Sequence, residues 1–432
     1  MKALIIGAAL SGVACAKLLK KNGYEVYLTD ISNIKEKAEL ENLGINVYEL
    51  AHPDFLKDIN YDLIVKNPGI KYTIPFVKYF VDKGYKILNE IEVASSFVHN
   101  YNYAAITGTN GKTTTTSLLG EFLKTKNIHN QAVGNIGKPL SDIVLKYGDE
   151  NLDLALEIAA FQLLGCDLFH PRVSVCMNLS IDHLDYFKEE ANYYKAKMLV
   201  YKNQCDDDWF LLNIDDENIL KYAKDIKCQT VTFSLDKEAD LMIKDHYVYL
   251  FDEILFDIND LKLPGKHNLQ NAMVASAMAL KMGVSISNIQ KVIKEFKGVK
   301  HRLEFIRELN GVKYYNDSKG TNPDSTSVAL KAFENNVILL AGGYDKKTGF
   351  KDIIPYLNHV KKMLVFGETK YQLKEIYEDA IIFDTMQEAI IYASKIARSG
   401  DIVLLSPMCA SWDQFKNFEE RGEIFEAIVK EL

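Results

Sequence analysis

None of the six cysteines belongs to a C-x-x-C pair, the spacing typical of structural zinc sites and redox motifs. Their scatter also argues against a disulfide scaffold and fits a reducing compartment. The sequence therefore predicts neither zinc nor cross-links as the source of its stability. The cysteines are Cys15, Cys166, Cys176, Cys205, Cys228 and Cys409.

Long apolar runs and an excess of positive charge are absent as well. No run reaches the roughly 18 residues that a transmembrane helix needs, so no membrane span is expected. Lys and Arg number 51 against 59 Asp and Glu, a formal charge of −8, whereas a nucleic-acid-binding protein normally carries a basic stripe. We expect a cytoplasmic protein that binds neither nucleic acid nor membrane.

The sequence has enough apolar residues for several packed α/β domains. Of the 432 residues, 48% are hydrophobic and 25% are charged, as in ordinary globular proteins. At roughly 150 residues per domain, this length predicts about three domains. The alternation of apolar strands with helices places them at residues 1–93, 94–298 and 299–432, with Rossmann-like folds in the first and third.

The first domain begins with a predicted strand, helix and strand whose connecting loop suits a nucleotide. This loop keeps two glycines of G-x-G-x-x-G, Gly7 and Gly12, with Ala9 in place of the middle one. Asp30 closes the second strand, where an acidic side chain can bind a ribose hydroxyl. Another predicted strand ends at residues 67–69. The alternative is that the glycines serve only the packing of helix on strand.

The second domain contains the strongest local motif. A predicted strand, Y-A-A-I-T-G, runs directly into G-T-N-G-K-T-T and then into a helix. In such a turn backbone N–H groups cradle phosphates, Lys112 reaches the β- and γ-phosphates, and the Thr113 hydroxyl ligates Mg²⁺. Ile106 stands where the usual motif has its first glycine. The residues predicted to bind ATP phosphates are Gly108, Thr109, Asn110, Gly111, Lys112, Thr113 and Thr114.

Two more apolar strands, at residues 152–159 and 173–180, predict a parallel sheet around this loop. Glu157 and His183 lie at or just after their carboxyl ends, where ligands bind in open α/β sheets. Mg²⁺ on a nucleotide takes one or two protein ligands in addition to phosphates. Glu157 and His183 are therefore candidate metal ligands. By local sequence alone, Lys197 reads as a solvated lysine on a helix.

Residues 205–262 are β-rich and are predicted to add antiparallel or mixed strands. After Gly298 the sequence again alternates predicted strands and helices. Two functions of other classes stay open at this point. An NAD-dependent oxidoreductase could be built on the N-terminal turn, although it leaves the phosphate loop unexplained. A regulatory P-loop ATPase would turn over ATP without a second substrate. Cys409 has no identifiable histidine partner for a role as nucleophile.

Several motifs together resemble those of one family, the Mur ligases. They occur along essentially the whole chain and in the family's order, and they are T-G-T-N-G-K-T, E-I-A-A-F-Q, N-L-S-I-D-H, Y-K-A-K, G-K-H-N-L-Q-N-A, H-R, N-D-S-K-G-T and G-G-Y-D-K. Mur ligases are ATP-dependent amide ligases of peptidoglycan precursor synthesis, related to folylpolyglutamate synthetase. The ending S-P-M-C-A-S-W-D-Q-F-K-N-F-E-E-R-G is similar to that of members that add D-glutamate to UDP-N-acetylmuramoyl-L-alanine. The alternative within the family is an L-alanine-adding ligase.

The resemblance implies roles for individual residues. Lys112, His183 and Lys197 would be catalytic. Thr113 and Glu157 would hold one Mg²⁺, and His183 and Lys197 a second, with Lys197 as a carbamate formed from CO₂. The adenine nucleotide would also contact Asn268, Asn271, Arg302 and Asp317. The UDP substrate would contact Gly7, Ser11, Gly12, Asp30, Asn67, Gly69 and Asn135. D-Glutamate would contact Lys319, Thr321, Lys346, Ser411 and Phe418.

The resemblance also implies a monomer whose partners are these two small-molecule substrates. One departure lies beside the expected glutamate pocket, where Trp412 stands at a position expected to hold a smaller apolar residue or Phe.

Overall fold

A computed structural model describes residues 1–345 and 349–432 of the chain. The chain forms two compact units, and the first of them contains two of the three β-sheets. The first unit comprises Met1–Asp260 and Gln270–Lys294, and the second comprises Leu261–Leu269 and Glu295–Leu432. Three mainly parallel sheets of five, nine and six strands confirm the predicted α/β class.

The first sheet is entirely parallel, with strand order β3-β2-β1-β4-β5. This is the order of a doubly wound nucleotide-binding fold, in which the crevice lies where the strand order reverses, between β1 and β4. The apolar run of β1 is buried in the core of this domain. Its elements are β1 (Lys2–Ile6), α1 (Leu10–Lys21), β2 (Glu25–Thr29), α2 (Lys37–Asn42), β3 (Asn46–Tyr48), β4 (Leu63–Lys66), α3 (Pro75–Asp82), β5 (Ile87–Leu88) and α4 (Glu90–Ser95).

The second sheet has the order β14-β13-β12-β11-β10-β9-β6-β8-β7. Strand β6 lies between β9 and β8, all parallel, so the loops after these three strands meet at one edge. Strands β12, β13 and β14 are antiparallel, which confirms the predicted mixed addition at residues 205–262. The strands are β6 (Tyr101–Thr107), β7 (Gln131–Gly134), β8 (Leu152–Glu157), β9 (Val173–Cys176), β10 (Trp209–Asn213), β11 (Gln229–Phe233), β12 (Leu241–Lys244), β13 (Tyr247–Leu250) and β14 (Glu253–Asp257). The helices are α5 (Lys112–Lys124), α6 (Leu140–Tyr147), α7 (Ala160–Leu163), α8 (Leu184–Phe187), α9 (Glu190–Met198), α10 (Glu217–Tyr222), α11 (Lys266–Lys281) and α12 (Ile286–Glu295).

The third sheet has the order β15-β16-β20-β17-β18-β19, with β15 antiparallel to its neighbour. The carboxyl ends of β16, β20 and β17 therefore lie side by side. Its elements are β15 (Glu304–Leu309), β16 (Val312–Asn316), α13 (Pro323–Leu330), β17 (Val337–Gly342), β18 (Val360–Phe366), α14 (Lys370–Ile376), β19 (Ile381–Ile382), α15 (Met386–Ile396), β20 (Ile402–Leu405) and α16 (Phe418–Glu431). No helix in the described part of the chain is both long and apolar enough to cross a membrane.

Helix α4 joins the first sheet to the second through buried polar contacts. Asn89 caps the helix by accepting the Glu92 N–H (3.0 Å), and its own backbone N–H donates to the Gly165 carbonyl (3.1 Å). The Glu92 carboxylate accepts the backbone N–H groups of Asp167, Leu168 and Phe169, each at 2.9 Å. Buried N–H groups and a buried carboxylate thereby satisfy one another, which fixes the loop at residues 167–169.

Glu90, the other buried acid on α4, supports a prediction about how stability depends on pH. Burial raises the pKa of its carboxyl to about 7, although the Ser141 N–H donates to it. An unfolded glutamate has a pKa of about 4.3, so the folded chain binds more protons between these two values. Stability supplied by the neutral carboxyl is therefore lost as the pH rises through about 7.

We expect Glu90→Gln to gain stability relative to the natural chain between pH 5 and pH 8, by up to about 3 kcal/mol. Urea unfolding at several pH values, followed by a probe in the first unit, measures the difference between the two proteins. The exposed Glu121→Gln substitution is the matched control and should leave the pH profile unchanged. Parallel profiles for Glu90→Gln and the natural chain would contradict the expectation.

Candidate active site

The loop between β6 and α5 requires two of its glycines. Gly108 has φ +140° and Gly111 has φ +82°, both in the region that side chains disfavour. A Cβ on Gly108 would lie 2.9 Å from Cβ of Met177, and one on Gly111 would lie 2.4 Å from Oδ1 of Asn271. The loop opens onto the first turn of α5, whose N–H groups and dipole favour an anion. The geometry supports the predicted phosphate site.

Two lysines converge on a single carbonyl of this loop. Lys112 Nζ donates to the carbonyl oxygens of Gly108 (2.9 Å) and Thr109 (2.8 Å). Lys197 Nζ, from α9, donates to the same Gly108 oxygen at 2.6 Å. Lys112 and Lys197 were both predicted to be catalytic, and the fold brings them together.

Lys197 is the clearest correction to what its local sequence indicates. The side chain is not solvated but buried, with only 1% of the residue exposed. Its ammonium group lies 4.5 Å from the centroid of the Tyr193 ring. Burial, and then the positive charge of Lys112, lower the pKa of Lys197 to about 7. Near neutral pH this amine is therefore partly unprotonated and able to act as a nucleophile.

Glu157 ends β8 directly beside the loop, opposite Ile106 in the register. Asn135 donates to Oε1 of Glu157 (2.8 Å) from its side chain, and its backbone N–H donates to the Glu157 carbonyl (2.9 Å). The other oxygen, Oε2, is buried and has no hydrogen-bond partner among the described residues. A buried carboxylate oxygen without a donor is the arrangement expected of a cation ligand. Asn135, assigned to the UDP substrate by resemblance, orients Glu157 in this structure.

His183 lies after β9 with φ +53° and about half of its side chain exposed. Its ring contacts the Phe161 ring edge-to-face at 4.8 Å and approaches the Tyr193 ring at 5.9 Å between centroids. The Lys197 ammonium lies over the same Tyr193 ring, so His183 and Lys197 both contact this aromatic side chain. Lys112, Glu157 and His183 all lie at or after the ends of neighbouring parallel strands, at one edge of the sheet, as predicted.

Asn178 is a functional candidate that the sequence analysis did not single out. Its carbonyl accepts the Thr109 N–H (3.0 Å), and its Oδ1 accepts the Asn110 N–H (2.8 Å). The Asn178 side-chain amide donates back to the Asn110 carbonyl (3.2 Å). These three bonds fix the loop conformation from the end of β9. In the sequence, Asn178 begins the N-L-S-I-D-H motif at the end of a predicted apolar strand, but no role was predicted for it.

Two asparagines of α11 occupy different surroundings. Asn271 is buried against the phosphate loop, where its Oδ1 accepts the Thr115 hydroxyl at 3.3 Å. Asn268 donates its side-chain N–H to the Pro264 carbonyl at 2.7 Å. Asn271 is therefore beside the predicted phosphate site, whereas Asn268 closes the turn that starts the helix.

Four of the six N-terminal candidates line a cavity of about 730 Å³ at the carboxyl ends of the first sheet; Ser11 and Gly12 do not. Asp30 accepts the Ala8 N–H (2.7 Å), and Asn67 donates to the Ser11 hydroxyl oxygen (3.3 Å) and accepts the Gly69 N–H (3.1 Å). Gly12 packs so tightly that a Cβ would lie 1.9 Å from the Gly7 oxygen. The predicted members Gly7, Asp30, Asn67 and Gly69 all line this cavity, and His52, Lys57, Lys71 and Phe76 are members that the sequence analysis missed.

In the second unit, Asp317 follows β16 and is buried. It accepts the Ser406 hydroxyl (2.6 Å) and the Leu303 N–H (3.2 Å), and burial raises its pKa to about 6. The charge of Arg302 lowers that pKa in part, so these two predicted nucleotide contacts are neighbours. Lys319 donates its backbone N–H to the His301 carbonyl at 2.9 Å.

The predicted D-glutamate contacts follow the neighbouring strands β16 and β20. Lys319 lies 5.7 Å from the Phe418 ring, and Ser411 is buried near the end of β20. The backbone N–H of Thr321 donates a hydrogen bond to the Lys319 carbonyl (2.9 Å). Lys346 lies outside the described residues. The exposed ring of Trp412 stands 5.4 Å from that of Tyr344.

Arg421 lies beneath the predicted D-glutamate contacts; it belongs to the C-terminal motif, but no role was predicted for it. The side chain is completely buried and donates to the hydroxyl (3.0 Å) and carbonyl (2.8 Å) of Ser318, and to the carbonyl of Cys409 (3.1 Å). Arg421, in the first turn of α16, therefore holds together the segments that follow β16 and β20.

Cys409, considered as a nucleophile, is buried. Burial raises the pKa of its thiol to about 12, which argues against that role.

Models of two domain families match this chain and define its class. The Mur ligase middle domain matches residues 106–279, and the Mur ligase, glutamate ligase domain matches residues 301–409. The solved UDP-N-acetylmuramate-alanine ligase of Thermotoga maritima has a TM-score of 0.60 and 19% identity, covering 100% of this chain and 99% of that one. The MurF ligase of the same organism, solved with ADP, has a TM-score of 0.61 at 18% identity, covering 95% and 97%. These likenesses establish a three-domain Mur ligase fold.

Curated relatives of much higher sequence identity show which family of Mur ligases the chain belongs to. The UDP-N-acetylmuramoylalanine–D-glutamate ligase of Geobacillus sp. (strain WCH70) is 41% identical, covering 100% of this chain and 98% of its own length. That of Bacillus mycoides (strain KBAB4) is also 41% identical, covering 99% and 97%. This chain belongs to the UDP-N-acetylmuramoylalanine–D-glutamate ligase family. The family and the D-glutamate-adding branch predicted from the sequence motifs are confirmed.

Proposed function

We propose that the chain catalyses ATP-dependent, ADP-forming ligation of D-glutamate to UDP-N-acetylmuramoyl-L-alanine, in cytoplasmic synthesis of peptidoglycan precursors. Family membership supports the reaction. The observation that carries the chemistry is the convergence of Lys112, Lys197 and the unpartnered Glu157 oxygen around the loop after β6. Such a site neutralises triphosphate charge, which is most of what a protein contributes to phosphoryl transfer.

The proposed reaction has two steps because a carboxylate is a poor electrophile. The alanyl carboxylate oxygen attacks the γ-phosphorus of ATP, and the bond to ADP breaks to give an acyl phosphate. The amine of D-glutamate then attacks the acyl carbon, loses a proton and expels phosphate. Lys112 would hold the γ-phosphate during the first step, and fixed positive charge around the loop would stabilise the developing charge.

We propose that the chain binds two Mg²⁺ ions at the loop after β6. Thr113, at the start of α5, and Glu157 would hold one ion, since the buried Glu157 oxygen lacks any donor among the described residues. His183 and Lys197 would hold the other. When bound, Mg²⁺ would supply positive charge that neutralises the phosphates. Asn135 and Asn178 would keep Glu157 and the loop in position.

We further propose that Lys197 functions as a carbamate formed with CO₂. As an ammonium it shares the Gly108 carbonyl with Lys112, so two positive charges compete for one acceptor. Attack of the neutral amine on CO₂ forms an N–C bond and releases one proton, which leaves an anionic oxygen donor beside Lys112. Repulsion between the two lysines then becomes attraction, and the lowered pKa of Lys197 supports this conversion.

The substrates are assigned to the two remaining sheets. The cavity that Gly7, Asp30 and Asn67 line would bind the UDP part. The segments after β16 and β20, with Lys319, Thr321 and Ser411 supported by Arg421, would bind D-glutamate, with Lys346 and Phe418 as further contacts. Asn268, Asn271, Arg302 and Asp317 remain proposed contacts of the adenine nucleotide. The enzyme is proposed to act as a monomer.

The test is phosphate release from ATP and Mg²⁺ with UDP-N-acetylmuramoyl-L-alanine, comparing D-glutamate, L-glutamate, L-alanine and no amino acid. We expect release only with the nucleotide sugar and D-glutamate together. A second arm with UDP-N-acetylmuramate and L-alanine tests the L-alanine-adding alternative. Release that is indifferent to the amino acid would overturn the ligase proposal while leaving the phosphate loop intact.

A further inference from the structure

A second cluster of metal-binding side chains lies in the first unit, away from the phosphate loop. It consists of His170, Cys205 and Asp208, whose ligand atoms all lie within 4.8 Å of one another. Asp208 Oδ2 is 2.5 Å from His170 Nε2 and 3.2 Å from Cys205 Sγ. The absence of C-x-x-C pairs from the sequence predicted no zinc site. Here the spacing is C-x-x-D, and the histidine comes from another segment.

The separations suit a small tetrahedral ion. Zinc bonds of about 2.3 Å to sulfur and about 2.0–2.2 Å to nitrogen and oxygen place neighbouring ligand atoms roughly 3.3–3.6 Å apart. The distances from Asp208 Oδ2 to His170 Nε2 and to Cys205 Sγ need to increase by at most about an ångström to reach that geometry. His170 and Cys205 are exposed whereas Asp208 is buried, so a fourth position faces solvent. A thiol and an imidazole favour zinc over magnesium.

The two segments that supply the ligands are held together by the fold. Gln204 donates to the carbonyls of Pro171 and Trp209, both at 3.0 Å, and is itself buried. Asn203 donates to the Phe169 carbonyl at 2.9 Å, and the Trp209 N–H donates to the Arg172 carbonyl at 2.9 Å. The loop at residues 167–169, which leads into His170, is fixed by Glu92. A site held on both sides in this way loses little entropy when an ion binds.

We propose that His170, Cys205 and Asp208 form a binding site for a zinc-class divalent cation. The ion would bond to imidazole nitrogen, thiolate sulfur and carboxylate oxygen, with water as the fourth ligand, and the Cys205 thiol proton would be released to solvent. His170 and Asp208 precede β9 and β10, so the site lies at the amino ends of these strands. The phosphate loop lies at the opposite, carboxyl edge of the same sheet.

A nucleophilic role for Cys205 fits the contacts less well. Its sulfur lies against the Asp208 carboxylate, which also accepts the Cys205 backbone N–H at 2.8 Å. An activated thiol needs a neighbouring base or positive charge that stabilises the thiolate. A bound cation supplies that charge, which favours a metal ligand over a nucleophile.

The experiment titrates the metal-free full-length chain, kept reduced, with Co²⁺ and then displaces it with Zn²⁺. We expect one Co²⁺ per chain with a thiolate-to-cobalt charge-transfer band, and displacement by Zn²⁺. Cys205→Ser should abolish the band, and Cys205→Ser and His170→Ala should each weaken Zn²⁺ binding by about 10- to 100-fold or more. His129→Ala is the matched control, because His129 is a surface histidine paired with Glu150 at 2.8 Å.

Three results would overturn the proposal: no saturable Zn²⁺ binding, Co²⁺ binding without the charge-transfer band, or a band that persists in Cys205→Ser. Amide-forming activity separates this inference from the proposed function. Because the cluster is at the opposite edge of the sheet, Cys205→Ser should retain the activity of the natural chain with Mg²⁺. That retained activity also shows that the variant is folded.

Discussion

Replacing Lys197 by alanine is expected to reduce amide formation by about 10³-fold or more, the scale set by loss of a preorganised charge at a reacting phosphate. The buried Nζ contacts the Gly108 carbonyl at 2.6 Å, and no neighbouring side chain on α9 can replace it. If the lysine acts as a carbamate, a small carboxylate such as formate or acetate should restore part of the activity. Steady-state phosphate release with and without added formate measures both effects.

Lys195→Ala is the matched control, since Lys195 lies on the same helix and is exposed. It should keep near-natural activity and show no response to formate. A fully active Lys197→Ala protein would remove Lys197 from the mechanism. An inactive but folded protein that formate does not rescue would retain the lysine and contradict the carbamate.

Glu157→Gln is expected to lower kcat by about 10²- to 10³-fold while the protein remains folded. Glutamine preserves the size of the side chain and can still accept the Asn135 amide at Oε1. The substitution replaces the unpartnered Oε2 by an NH₂ group, which repels a cation. Oε2 has no hydrogen-bond partner among the described residues, so the NH₂ group gains no acceptor there. The Mg²⁺ concentration for half-maximal activity should rise in parallel. Titrations of activity against Mg²⁺ at saturating ATP give both quantities.

The matched control for Glu157→Gln is Asp153→Asn on the same strand. Asp153 lies at the amino end of β8 and pairs with Lys126 at 2.5 Å, away from the loop. Its substitution should leave the Mg²⁺ dependence unchanged even if stability falls. An unchanged Mg²⁺ requirement in Glu157→Gln would contradict the assignment of Glu157 as a metal ligand.

The sequence was sufficient to predict the site residues that lie at the ends of strands. The segments of β6, β8 and β9 were predicted from their apolar runs, and the parallel arrangement then placed Lys112, Glu157 and His183 at one edge. The fold confirms that arrangement because loop positions in parallel sheets follow from strand order. The order of the motifs along the chain was likewise sufficient to identify the family.

What the sequence could not provide were side-chain contacts between distant segments. Nothing local distinguishes Lys197 from the exposed Lys195, and only the packing of α9 against the loop buries one of them. Asn178 and Arg421 lie within motifs of the family, but their side chains bond to backbone groups of distant segments, and the motifs do not show those contacts. The family resemblance implied a substrate contact for Asn135, and nothing in the sequence indicated its hydrogen bond to Glu157.

The contacts of α4 have a consequence for how the chain folds during synthesis. The Glu92 carboxylate meets its three donors 75 to 77 positions later in the sequence. Until those residues emerge from the ribosome, the Glu92 carboxylate lacks the donors that satisfy it in the folded chain. Closing so long a loop is slow relative to local helix formation. The buried contacts of α4 therefore form only after the centre of the chain has been translated, whereas the rest of the N-terminal sheet packs on residues that precede it.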